Sequence, residues 1–230
     1  MIFDTETTGL PKARDVLSTN LHEWPHIVQL SYVIMDASVI VKLADNIVKL
    51  PEGVVIPPEC TNIHGIDHAK SQAEGQPIEK LIDEFVRDLS RVELVVGHNV
   101  QFDVNMILAE MMRLVQFSLH EPTEKTYLDA IALMRKTPTY CTMREGTHVC
   151  AIEIMGKFGK TYLKSPKLIE LHRHLFGTTP DGLHNSMVDV LACLRCYYRL
   201  KHSEDLMEAG NPFVALFAPY LSTGAQLIAR

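Results

Sequence analysis

Apolar and polar positions along the chain alternate between two periods, and the switches mark the elements. Two β-branched runs, IVQLSYVIMD (27–36) and VIVKLADNIV (39–48), are separated only by Ala37 and Ser38 and predict an antiparallel hairpin. Ahead of them the short apolar start of MIFDTETTGLP (1–11) reads as a buried strand. The Pro-marked stretch LPEGVVIPPECTNIHGI (50–66) is expected to be loop. Ile78, Leu81, Ile82, Phe85 and Leu89 then recur at helical spacing within 77–89. ELVVGHN (93–99) predicts a short buried strand ending in a Gly-His-Asn turn, and residues 103–114 predict the next helix. TYLDAIALMRK (126–136) is expected to begin as strand and pass into helix.

Residues 137–164 carry no clear period, and a long connection of this kind in a compact domain is usually functional or mobile. SPKLIELHRHLFG (165–177) has Pro near its start and Gly at its end, the marks of a capped helix. NSMVDVLACLRCYYRL (185–200) predicts the last strong helix. The tail includes NPFVALFAPYL (211–221), apolar enough to dock on the domain or on a partner. The expected division is a domain over 1–205 and a tail over 206–230. A hairpin followed by strand–helix alternation predicts an α/β fold with a mixed sheet, whose site lies at the carboxyl ends of strands.

Composition narrows the class. With 230 residues and 47% hydrophobic content the chain can bury one sizeable core. Its apolar runs are short and broken by charge, so no membrane association is expected, and the N-terminus shows no secretory signal. Five cysteines, at 60, 141, 150, 193 and 196, suit an intracellular, reducing compartment (cytoplasm or nucleus) better than a disulfide framework. The net charge of −6 argues against a protein that coats nucleic acid generically. Residues 125–174, however, hold nine Lys/Arg against four Asp/Glu. A basic segment in an acidic chain can meet a polyanion, and 137–164 is expected to form a basic flap over it.

The candidate chemistry falls at the strand ends. Asp4 and Glu6, two apart on a strand, leave the same face. Asp103 follows VVGHN, and Asp189 lies in the first turn of the last strong helix. If the four converge, two unit charges about 4 Å apart cost roughly 4 kcal/mol at an effective dielectric near 20. Divalent cations remove that cost, and oxygen-only ligation favours Mg²⁺ or Mn²⁺ over Zn²⁺. His184 and Asp189 could not serve one site from a single helix, where five residues leave them about 140° apart. Asn185 or Ser186 can cap the helix, and Ser186 with Asp189 resembles a capping box. His184 then sits on the loop before the helix, free to approach the same site.

These residues carry a family resemblance. FDTETTGL, HNVQFD and HNSMVD resemble the three motifs of the DEDDh 3′–5′ exonucleases. That superfamily includes the proofreading subunit of bacterial replicative polymerases, oligoribonuclease and the TREX-type enzymes. IHGI (63–66) and KLIELHRHLFG (167–177) resemble secondary blocks of the proofreading branch, and the similarity covers about residues 2–200. The resemblance implies a ribonuclease H-like mixed five-stranded sheet flanked by helices. It implies two divalent cations, with Asp4 bridging both, Glu6 and Asp189 on the first, and Asp103 on the second. His184 is implied as general base, and nucleoside 5′-monophosphates as product. Thr7, Thr8, Gly9 and Leu10 are implied to receive the 3′-terminal nucleotide, Leu10 as a wedge, and His98, Asn99 and Phe102 to touch its sugar or base. Single-stranded DNA 3′ ends are favoured as substrate, with RNA 3′ ends the alternative and a polymerase an expected partner. A non-catalytic nucleic-acid-binding or polymerase-associated module is the alternative of another class.

Other chemistry-bearing residues read more plainly. Cys193 and Cys196 share a helix stripe with Asp189 and Leu200, which suits core thiols better than a zinc clip. Cys141 and Cys150 are the better candidate for a metal clip but lack a matching second pair. His64 reads as a loop hydrogen-bonding residue, and His172 and His174 as parts of a solvated helix face.

Overall fold

The structure, a computed structural model, describes residues 1–117 and 121–221, and the side chains of these except 121–124 and 158. Its centre is the first strand, β1 (Ile2–Thr7), followed by the hairpin β2 (Ile27–Asp36) and β3 (Val39–Lys49). Next come α1 (Pro58–His64), α2 (His68–Glu74), β4 (Gln76–Pro77) and α3 (Ile78–Leu89). Then follow β5 (Val95–Gly97), α4 (Val100–Phe117), α5 (Glu121–Lys136), β6 (Thr139–Cys141) and α6 (Thr142–Cys150). The chain continues through β7 (Ile152–Met155), β8 (Thr161–Lys164), α7 (Leu168–Phe176), α8 (Ser186–His202) and α9 (Phe213–Phe217).

The main sheet runs β4-β3-β2-β1-β5-β6. β1, β2 and β3 pair antiparallel, while β5, β6 and the edge strand β4 pair parallel to their neighbours. The expected mixed α/β sheet is present, with the two-residue β4 as a sixth strand. β2 is buried from Ile27 to Val33 because both sheet faces are covered, which explains its near-continuous apolar run. One face carries Phe3, Leu30 and Tyr32, which cluster with Phe85 of α3 and with α4 and α5. The other carries Ile2, Val33 and Val96 against α7 and α8.

Three local expectations are corrected. Residues 50–66 are not all loop, since α1 starts with Pro58 in its first turn and ends on Gly65 at φ 73°. Those are ordinary start and stop residues, but a seven-residue helix shows no apolar period. Residues 126–136 are helical throughout; Tyr127, Ala130, Ile131 and Met134 are buried at helical spacing. Residues 137–164 are not an aperiodic connection: they supply β6 to the main sheet, α6, and the separate β7–β8 hairpin.

Beyond α8 the chain packs back on the domain. Leu206, Phe213 and Phe217 are buried in the α7–α8 cluster, with Tyr220 and Leu221 at its rim. The tail beyond Leu221 lies outside the described residues. No helix among the described residues is long and apolar enough to cross a membrane.

Candidate active site

Strand alternation in β1 sorts its polar residues between two jobs. Ile2 belongs to the α8-side cluster and Phe3 to the α4-side cluster, so Asp4 and Glu6 face α8 while Thr5 faces α4. The start of α8 is docked over them. Asn185 caps the helix, its Oδ1 accepting the Met187 N–H at 3.2 Å. Ser186 is fully buried; its N–H donates to Gln29 Oε1 (3.2 Å) and its Oγ donates to the Asp4 carbonyl (2.8 Å). The cap is therefore Asn185, and the expected box between Ser186 and Asp189 does not form. Asp189 Oδ2 instead accepts the N–H of His184 at 2.7 Å.

Carboxylate oxygens of Asp4, Glu6 and Asp189 lie within 4.8 Å of one another. Asp103 approaches from the first turn of α4. It is 2% exposed, and its Oδ1 accepts both the N–H (2.9 Å) and the Oγ–H (2.8 Å) of Thr5. None of the four forms an ion pair with a basic side chain among the described residues. The protonation equilibria register that crowding. Burial first, then Asp103, Asp189 and Glu6, raises Asp4 well above the usual carboxylate range. Burial and then Asp189 and Asp103 push Glu6 up to about 8. Asp103 and Asp189 are pushed to about 7, mainly by burial, with the Thr5 and His184 hydrogen bonds acting the other way. A crowd of carboxylates, Asp103 buried and the other three half-buried, without a counter-charge is unfavourable by itself. An all-oxygen donor set fits a hard divalent cation, whose charge removes the conflict.

His184 sits on the loop before α8, exposed and at φ 71°. The Thr7–Leu10 turn is tied to the start of β2: the Thr8 N–H donates to the His26 carbonyl and Thr8 Oγ accepts the His26 N–H, both at 2.9 Å. Thr7 Oγ donates to the Gly9 carbonyl (2.7 Å). Leu10 at its tip is 82% exposed, an unusual position for a leucine that nothing covers. Asn99 is exposed at φ 66° between β5 and α4, and Phe102 is half-buried against the α4-side core. His98 has both ring nitrogens engaged within the protein, Nε2 with the Pro166 carbonyl and Nδ1 with Thr142 Oγ, each at 3.0 Å. That leaves neither nitrogen for a ligand.

Thr5, Gln29 and Ser186 position the carboxylates without being singled out as site residues from the sequence. For Thr5 the strand alternation was the available signal. His64 is buried at the end of α1 beside Thr7 and His184. Its Nδ1 accepts the Ile66 N–H (3.2 Å), while its buried Nε2 has no partner. His172 does not lie on a solvated face: it is fully buried, whereas His174 is exposed. Cys193 and Cys196 are core residues at 3% and 0% exposure. Among the described residues the carboxylates form the one cluster of metal-ligand spacing, so Cys141 and Cys150 make no clip.

The model of the RNase T exonuclease family matches residues 1–197. The chain belongs to the exonuclease family. The mixed sheet flanked by helices is a ribonuclease H-like fold. No curated protein gives a significant match. Among solved structures it is similar to Escherichia coli exonuclease I bound to a dT13 oligonucleotide, at 14% identity and TM-score 0.61. It is also similar to the zinc-bound form of E. coli exonuclease I with single-stranded DNA (14%, TM-score 0.60) and to exonuclease I of Methylocaldum szegediense (15%, TM-score 0.57). Each similarity covers 88% of this chain but only 40% of the other, so the domain spans about two fifths of those proteins.

Proposed function

We propose that the domain removes nucleotides one at a time from the 3′ end of single-stranded nucleic acid, DNA in preference to RNA, releasing nucleoside 5′-monophosphates. The observation that carries this reading is the uncompensated carboxylate cluster at the end of β1, with the His184 loop bonded directly to one of its members. Asp4, Glu6 and Asp189 would hold one Mg²⁺ or Mn²⁺, and Asp4 with Asp103 a second. Two such cations supply activation of a water and charge stabilisation at the departing oxygen. His184, exposed beside Asp189, takes the proton of the attacking water as its oxygen bonds to the terminal phosphorus. The bond from that phosphorus to the 3′ oxygen of the preceding nucleotide breaks, and the freed 3′ oxygen ends as a hydroxyl. The Thr7–Gly9 backbone and the uncovered Leu10 receive the last nucleotide, with Asn99 and Phe102 on its other side.

The oligonucleotide complexes of exonuclease I support a single strand as the occupant. A polymerase partner rests on the resemblance to the proofreading branch alone. Five free thiols, three of them buried, support a reducing compartment.

A 5′-labelled single-stranded DNA oligonucleotide with Mg²⁺ should give a ladder shortening from its 3′ end, and a matched RNA should shorten more slowly. No shortening with either Mg²⁺ or Mn²⁺ would leave only a binding module. His184→Ala should lower kcat by about 10²–10⁴-fold with little change in oligonucleotide affinity; the reverse pattern denies it the role of base.

A further inference from the structure

The loop that carries His184 is fastened mostly by residues outside the motif. At its start, the Thr178 carbonyl accepts a hydrogen bond from Nδ1 of the buried His172 (2.8 Å). Further on, the Asp181 N–H donates to the Tyr220 carbonyl at 2.6 Å, and Pro180 forms an isolated antiparallel bridge with Leu221. The Tyr220 ring stands 4.0 Å from where a Cβ on Gly182 would lie. Leu183, Tyr220 and Leu221 pack against the same apolar cluster, whose buried members include Phe213 and Phe217. The motif itself contributes the bond from the His184 N–H to Asp189 and the turn closed by Asn185 N–H on the Gly182 carbonyl (3.2 Å). The chain from Phe213 to Leu221 thus lies along the loop as a strap.

We propose that Tyr220 and Leu221 are positioning residues for His184, holding its loop where the imidazole reaches the attacking water. The proposal rests on the general-base reading of His184. An exposed loop costs about 1–2 kcal/mol per residue to order, and a base displaced by about 1 Å can lose about 10²-fold in rate. A strap that orders the loop beforehand therefore acts on kcat and not on binding of the strand, which the Thr7–Leu10 turn and the cation site provide. Neither residue touches substrate in this account.

The test is a double-mutant cycle between the strap and the base, read on a single-stranded DNA oligonucleotide with saturating Mg²⁺. Tyr220→Ala with Leu221→Ala should lower kcat about tenfold and leave KM within about twofold. Placed in a His184→Ala background, the same two changes should alter kcat by less than about twofold, because the group they position is gone. An equal loss in both backgrounds, or no loss in the parent background, overturns the proposal. If His184→Ala is itself as active as the parent, the general-base reading falls and the strap's role falls with it, an outcome distinct from a slow His184→Ala enzyme with an additive strap. Should the double variant not fold, Leu221→Ala alone trims one half-buried side chain at the rim. It should give about a threefold loss in kcat with the same dependence on His184.

Discussion

Helix α8 carries two charged residues under two turns apart that the protein treats in opposite ways. Asp189, in its first turn, faces Asp4, Glu6 and Asp103 with no basic partner. Arg195 is buried, but every side of its guanidinium is matched. Nε and Nη2 each donate to Asp205 at 2.8 Å, Nη1 lies 3.3 Å from His172 Nε2, and the Phe176 ring sits 3.8 Å from Cζ. The carboxyl groups respond accordingly. Burial pushes Asp205 up, but the Arg195 bonds hold it below the usual range, whereas Asp189 is pushed to about 7. Matched charges fix the packing of α7 on α8. Unmatched charges are tolerated only where something from outside completes them, so the mismatch marks the site more sharply than the residue types do.

The contrast can be broken from either side, most forcefully at Asp4. Asp4→Asn should reduce nuclease activity by at least about 10³-fold, since it disables the cation site, while raising the melting temperature of the metal-free protein by relieving repulsion. An activity assay paired with calorimetry in EDTA checks both, and a drop in stability would mean that the carboxylates are not in conflict. Asp205→Ala should do the opposite. It leaves Arg195 buried without its partner and should destabilise the fold by about 3–5 kcal/mol in urea denaturation, with kcat of the surviving folded enzyme changed far less than by Asp4→Asn.

Acid sharpens the comparison. Burial lowers the His172 pKa to about 4, the Thr178 bond opposing and Arg195 reinforcing it. As pH falls below about 6.5 the unfolded chain takes up a proton on this residue before the native one does. Its contribution is therefore present above about pH 6.5 and is lost as pH falls toward 4. The parent should lose about 2 kcal/mol more than a His172→Gln variant between pH 6.5 and 4.5, measured as urea midpoints. Equal losses would mean that His172 is protonated in the fold. Smallest is the gain from the cation itself: Mg²⁺ at about ten times its Kd should stabilise the protein by about 1.4 kcal/mol, or about 3–5 °C. Asp4→Asn should abolish that shift, and its survival in the variant would place the cation elsewhere.

What could be read from the sequence follows from how far apart the cooperating residues lie. The hairpin, α3, α7 and α8 carry several turns or pleats of apolar period, and their patterns sufficed. Asp4 and Glu6 are two residues apart, so their shared face follows from strand geometry alone. α1, α6 and the strands of the β7–β8 hairpin run four to nine residues, too short for a period to emerge. His172 departs from its sequence pattern for a different reason. Its neighbours in LHRHLF look like a solvated face, and its burial comes from Arg195, Thr178 and the rings of Phe176 and Phe217. Likewise Ser186 meets Asp4 across nearly the whole chain, and the pairing of Asp103 with Thr5 joins two motifs that the sequence shows only as separate.

The pleat of β1 sets an unusual kind of fragility. Because side chains alternate faces, inserting one residue between Ile2 and Phe3 would turn the rest of the strand over relative to β2. Asp4 and Glu6 would then point among Leu30, Tyr32 and Phe85, and Phe3 and Thr5 toward α8. The composition would hardly change and every motif letter would survive, yet the carboxylates of the candidate site would sit inside the core. In this strand the parity of the residue count is as much a part of the active site as the carboxylates are, so insertions and deletions there should be far less forgiving than any single substitution in the turn that follows.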